Sequence, residues 1–213
     1  MQKTVLHVTN GEYFNKYFLS KYGSVAVPFC EAMMDGETHR DVFSDSFVSL
    51  RAKCLKVSEE EYRQKMYVPQ MLGKSTYQEI HLWFGKDTFC QLNLLTILAY
   101  LEQISYVGAV KLHYVDDHTF EVLEDNIDVS LGVYQEIYCN VLMKKRTPNS
   151  LGVLFKKAIE LYFDYLSPDG ALAKLIKDNP KKDNNTLMKL LIKNSKEYGL
   201  SFFQAEKLLL SYR

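Results

Sequence analysis

Apolar and polar positions change their rhythm along the chain. In the first half, short β-prone runs alternate with longer segments of helical spacing. Thr4–Thr9 (TVLHVT) is β-prone and ends at Asn10–Gly11. Glu12–Lys21 follows with Tyr13, Phe14, Tyr17 and Phe18 at helical spacing, and Gly23 closes it. Ser24–Phe29 (SVAVPF) predicts a second strand, with Pro28 at its end because proline cannot donate to a central ladder. Helices are expected over 41–56 and 58–71, the second opened by a Ser58–Glu61 capping box. Gln78–Phe84 (QEIHLWF) predicts a third strand and Gly108–Val115 a fourth. Between them Asp87 caps a long helix that reaches Tyr106, with a buried stretch at Leu92–Leu101.

After the fourth strand the pattern is helical throughout. Ser130–Met143, Asn149–Leu166, Pro168–Asp178, Asn184–Tyr198 and Ser201–Tyr212 all show helical spacing. Ser167–Pro168 reads as a helix start, and Lys181–Asn185 as a polar connector. Strands that alternate with helices predict an α/β fold: a largely parallel, Rossmann-like or flavodoxin-like sheet with helices on both faces. The expected domains are an α/β domain over 1–125 and a helical C-terminal region over 126–213, packed on the first.

Composition adds bounds. At 213 residues and 47% apolar, the chain can bury a core that needs no staples. Cys30, Cys54, Cys90 and Cys139 are widely spaced, which disfavours a zinc knuckle or a disulfide framework and predicts buried free thiols. No run approaches a membrane span and the N-terminus lacks a signal peptide, so the expected location is cytoplasmic. Residues 1–140 hold 12 Lys+Arg against 19 Asp+Glu, whereas residues 141–213 hold 14 against 7. The basic end is a candidate nucleic-acid face, or simply a solvated one.

Three segments at predicted strand ends could carry chemistry. His7–Gly11 (HVTNG) leads into a helix whose N-terminus can hold an anion, although one glycine makes neither a dinucleotide fingerprint nor a P-loop. Cys30–Asp41 carries Glu31, Asp35, Glu37, His39, Arg40 and Asp41, as a loop that binds a metal or moves protons would, or a solvated loop with local helix caps. In Trp83–Asn93, Gly85 permits a turn, Asp87 starts the helix and Gln91 stands four residues on, with Asn93 on another side. If strands one and three are neighbours, His7, Asn10, Asp87 and Gln91 converge at their carboxyl ends. Cys90 reads as a structural thiol, His81 and His113 as satisfied strand residues, and Asp116–Asp117–His118 as a turn before a metal site.

Together these segments resemble a bacterial family known as domain of unknown function number eighteen thirty-five. Its members carry an H-[VI]-x-N-G strand, a D-x-L-x-E-G-P loop, an R-A-x-x-L helix and a W-F-G-x-D-x-x-x-Q-L-x-L-L turn. Here His7–Gly11, then Glu31, Met33, Asp35 and Gly36, then Arg51–Ala52 with Leu55, then Trp83–Asp87 with Gln91–Leu95 match in turn. The similarity covers residues 4–115 and extends loosely to Arg146–Pro148 and to Gly199–Ser201 with Glu206. Glu37 stands where the family has proline, and Cys90 where it often has an acid. The resemblance implies a fold and shared polar positions, with no established reaction, cofactor or partner.

The leading functional expectation is a small-ligand site for a nucleotide or other anionic metabolite. Its candidate residues are His7, Asn10, Gly11, Glu31, Arg51, Trp83, Asp87 and Gln91, with no metal. The alternatives are a nucleic-acid-binding or regulatory module using residues 141–213, and an interaction scaffold with an exposed aromatic patch at Phe202–Phe203 or Tyr162–Phe163. Enzyme activity, cofactor and oligomeric state are left open by the sequence.

Overall fold

The computed structural model describes residues 4–74, 77–148 and 153–213. The chain divides into two units, one of Met1–Lys86 with Cys90–Ser150 and one of Asp87–Phe89 with Leu151–Arg213. The expected division at 125 falls inside a strand of the first unit.

The first unit is an α/β sheet of five strands in the order β2-β1-β3-β4-β5. These are β1 (Val5–Asn10), β2 (Ala26–Phe29), β3 (Glu79–Phe84), β4 (Ala109–Val115) and β5 (Val122–Asp128). β1 pairs in parallel with β2 and β3, and β3 with β4. β5 joins β4 antiparallel. The expected mostly parallel sheet is therefore present, with one strand the sequence pattern did not reveal. β5 (VLEDNID) is almost wholly exposed, so it has no buried face to impose alternation.

The order reverses at β1: the chain leaves it toward β2 and returns on its other side as β3. Parallel crossovers are right-handed, so helices from opposite-going connections cover opposite faces. α1 (Glu12–Tyr22) covers one face, where Phe14 and Phe18 pack with Ala26, Trp83 and Val115. Gly23 closes α1 in the left-handed region at φ 62°. α5 (Thr88–Gln103) lies on the other face, with Leu92, Leu94, Leu95, Ile97, Leu98 and Ala99 fully buried.

Between β2 and β3 run α2 (Asp45–Leu55), α3 (Glu59–Gln64) and α4 (Tyr67–Lys74). Ser58 and Glu61 form the expected capping box on α3. Pro28 sits inside β2 rather than ending it, opposite Thr9. The strand tolerates it because β2 is the sheet edge. After β5, α6 (Tyr134–Tyr138) runs into a π-helical turn at Cys139–Met143. The Glu102 carboxylate of α5 accepts the amides of Gly132, Val133, Tyr134 and Gln135, which fastens this segment to α5.

The second unit holds α7 (Lys156–Leu166), α8 (Ala171–Lys177), α9 (Asn184–Asn194) and α10 (Phe202–Tyr212). The expected beginning of its first helix at Asn149 lies outside the described residues. α8 starts at Gly170 rather than at Pro168: the Asp164 carboxylate accepts the Ala171 amide, and Ser167 Oγ accepts that of Asp169. Ser201 and Gln204 cap α10 reciprocally. Among the described residues no helix is long and apolar enough to cross a membrane. All four cysteines are free thiols, but only Cys90 is buried.

Candidate functional site

His7, Asn10, Asp87 and Gln91, expected to converge at the carboxyl ends of β1 and β3, do not form one hydrogen-bonded group among the described residues. Alternation along β1 sends Leu6, Val8 and Asn10 to the α5 face and His7 and Thr9 to the α1 face. His7 and Asn10, three residues apart, therefore stand on opposite sides of the sheet.

On the α5 side, Asn10 closes a polar chain. Its Nδ2 donates to Cys90 Sγ at 2.8 Å, and its Oδ1 accepts from Asn93 Nδ2 at 3.0 Å. Asn93 is fully buried; Nδ2 also donates to the Glu31 carbonyl at 2.7 Å, and Oδ1 accepts the Met33 amide at 3.1 Å. Cys90 Sγ approaches Asp117 Oδ1 at 3.4 Å. Cys90 and Asn93, one helical turn apart on α5, thus lock the end of β1 to the loop after β2. Asn93 lies on a different helix side from Gln91, as its spacing predicts, and its i, i+3 spacing from Cys90 is the sequence signal that joins it to this group.

The Cys30–Asp41 loop is organised by Arg51 of α2. Arg51 is fully buried; Nε and Nη2 donate to Glu31 Oε2 at 3.1 and 2.8 Å. Nη1 donates to the carbonyls of Asp35 (2.6 Å) and Glu37 (3.1 Å), and Nη2 to that of Ala32 (2.9 Å). Tyr62 donates its hydroxyl to the other Glu31 oxygen. Burial opposes the Arg51 charge, but the Glu31 carboxylate outweighs it and the guanidinium pKa is raised. Burial and then Glu31 push the Tyr62 phenol far up. Glu31 and Arg51 are thus committed to each other and to the loop backbone.

Gln91 is buried at 3% exposure, and its Nε2 donates to the Gly85 carbonyl at 2.6 Å. Its Oε1 has no hydrogen-bond partner among the described residues. The Asp117 carboxylate lies close over Gly85, where an added Cβ would meet it at 2.1 Å and make it move. Asp87 belongs to the second unit, where its carboxylate abuts Gly199. Asp116 makes the expected turn by accepting the amides of His118 and Thr119.

Gly11 follows β1 at φ 82°, and a Cβ there would meet nothing among the described residues within 4 Å. Its amide donates to the Phe29 carbonyl, and its own carbonyl starts α1 by accepting from Asn15. α1 has no side-chain cap, and Glu12 occupies its first turn.

On the α1 face, His7, His81 and Trp83 form a second polar group together with His113. Trp83 Nε1 donates to His7 Nδ1 at 3.1 Å, and the indole stacks on His113 with ring centres 3.9 Å apart. Trp83 therefore belongs with the histidines and not with Asn10. Burial first, and then the neighbouring His81 and His113, lower the His7 pKa to about 4. Comparison with protein-family models, curated proteins and solved structures finds no match.

Proposed function

We propose that the carboxyl-end rim of β1 and β3 binds a small ligand with an anionic group, of the nucleotide class. The observation that carries this reading is the reversal of strand order at β1, with Gly11 and the uncapped start of α1 standing there. In open α/β sheets, ligands lie outside the carboxyl ends of the strands where the order switches. First-turn amides of a helix with no side-chain cap are suited to oxygen anions. The open space over Gly11 leaves room for such a group to approach the backbone. Asn10, Cys90 and Asn93 hold this rim, while Glu31 and Arg51 fix the loop beside it.

The test is thermal unfolding of the wild type and Glu12→Gln with nucleoside mono-, di- and triphosphates, flavin mononucleotide and inorganic phosphate at millimolar concentration. Glu12 is exposed at the helix start and repels an anion there, so its neutralisation should increase the ligand-induced stabilisation. A ligand present well above its Kd should raise the transition by a few degrees. No stabilisation of either protein by any of these ligands would sink the reading.

A second reading concerns the helical unit. Lys189, Lys193 and Lys196 are exposed at helical spacing along α9 and the turn after it, as a phosphate-contacting face requires. α10 instead exposes Phe202, Phe203 and Leu210, which does not suit base readout. Tyr162, by contrast, is fully buried and lends nothing to an exposed aromatic patch. Gel shift at low salt should show sequence-independent binding that fades steeply as salt rises. An absence of retardation at low salt removes this reading.

A further inference from the structure

The β4–β5 pairing shifts register at two successive places, between Leu112 and Tyr114 and between Tyr114 and Val115, and the first of them concerns His113. Leu112 pairs with Ile127 and Tyr114 with Glu124, so His113 stands alone opposite two residues, Asp125 and Asn126. This is a β-bulge, with Asn126 in the left-handed region at φ 57°.

The two β5 residues make opposite demands on one atom. The Asn126 amide points at His113 Nδ1 at 3.3 Å and needs a lone pair there. The Asp125 carboxylate lies against the same nitrogen and needs a proton there. Only one demand can be met at a time.

The rest of the row decides what each state costs. His113 Nε2 lies 2.8 Å from His81 Nδ1, and His81 Nε2 lies 3.3 Å from Glu79 Oε2. With both imidazoles neutral, two protons are divided among three ring contacts; in the arrangement that satisfies the Asn126 amide, His113 Nε2–H donates to His81 and His81 Nε2–H donates to Glu79. Nδ1 of His113 is then bare and takes the Asn126 amide, leaving Asp125 facing a lone pair. One more proton, on Nδ1, turns this nitrogen into a donor for Asp125 and displaces the Asn126 amide.

The facing ring nitrogens suit a hydrogen bond rather than a shared metal ion. The His81 and His113 rings are nearly coplanar, at 16°, with centres 5.0 Å apart. At that separation the two nitrogens lie close to the line joining the ring centres, whereas a metal would need lone pairs that converge to one side.

We infer that His113 Nδ1 is a proton-operated switch of the β4–β5 bulge, holding the Asn126 amide when bare and the Asp125 carboxylate when protonated. The groups that bear on it are His7 from β1, Glu79 and His81 from β3, Lys111 from its own strand, and Asp125 with Asp128 from β5. Lys111 is itself paired with Asp128 at 2.6 Å. Burial lowers the His113 pKa and outweighs the Asp125 carboxylate, which raises it. The switch therefore operates on the acid side of the ordinary histidine value of 6.5.

The test is a pH titration of the full-length, nitrogen-15-labelled protein by NMR, following the His113 ring nitrogens and the Asn126 amide. Both should move with one midpoint below 6.5. Asp125→Asn removes an exposed anion from a surface strand and should lower that midpoint by about one unit, as loss of an adjacent opposite charge does. An Asn126 amide that does not follow the His113 titration overturns the inference. So does an Asp125→Asn midpoint equal to that of the wild type.

Discussion

Arg51 and Glu31 form an ion pair at 2.8 Å in which the side chains are 0% and 4% exposed. Two charges removed from water are tolerated because all five guanidinium protons are donated and both Glu31 oxygens accept. Removing one partner leaves the other charged and buried. Arg51→Ala should therefore destabilise the protein by about 3–5 kcal/mol. Arg51→Lys keeps the charge but cannot donate from a planar fork to Glu31 and three carbonyls, so it should also be clearly destabilising. Urea unfolding followed by tryptophan fluorescence reads both, and an Arg51→Lys protein as stable as the wild type would refute the clamp.

Asn93 makes three hydrogen bonds from a fully buried position on α5. Asn93→Leu keeps the volume but orphans the Met33 amide, the Glu31 carbonyl and the Asn10 amide oxygen. The cost should be about 2–4 kcal/mol, since each buried group left unpaired carries its own desolvation penalty. Hydrogen exchange at the Met33 amide should speed up more than at Ile80 in the sheet. Equal changes at both would mean that Asn93 does not hold the loop locally.

Two glycines separate backbone strain from steric contact. Gly23 and Gly199 both lie at left-handed φ, 62° and 69°. Among the described residues nothing lies within 4 Å of a Cβ on Gly23, whereas one on Gly199 would meet Asp87 Oδ1 at 1.9 Å. Gly23→Ala should cost about 1 kcal/mol from conformation alone. Gly199→Ala should cost more, because the Asp87 carboxylate must also move. Denaturation midpoints of the two variants check the order.

How far the sequence foretold this molecule differs from part to part, for physical reasons. The four parallel strands and the long α5 were legible because burial demands runs rich in apolar residues, such as Leu92–Leu101, which only Asn93 and Thr96 interrupt. β5 was not, because an exposed edge strand carries no such demand. The site was legible as positions but not as a geometry. His7 and Asn10 differ by an odd number in a strand, and that parity places them on opposite faces. Glu31 and Arg51 looked like ligand-binding groups, since a charge pattern cannot tell a paired buried ion from a free one. The His81–His113 contact joins two strands whose register only the fold sets.

The pH dependence of stability follows from His7. Burial and the neighbouring histidines lower its pKa from 6.5 to about 4, so the folded state resists the proton that the unfolded chain accepts. Stability is fully present above 6.5 and declines as pH falls from there toward 4. Linkage alone would set the loss at about 3 kcal/mol, and the half-buried ring's contact with water reduces it to about 1–2 kcal/mol. His7→Phe has no proton to accept and should flatten this part of the profile, while losing the bond from Trp83 at every pH. Urea unfolding between pH 4 and pH 7.5 distinguishes the two effects: the variant should be less stable than the wild type at pH 7.5 and close most of that gap by pH 4. A gap that stays constant over the range would show that His7 does not carry the acid sensitivity.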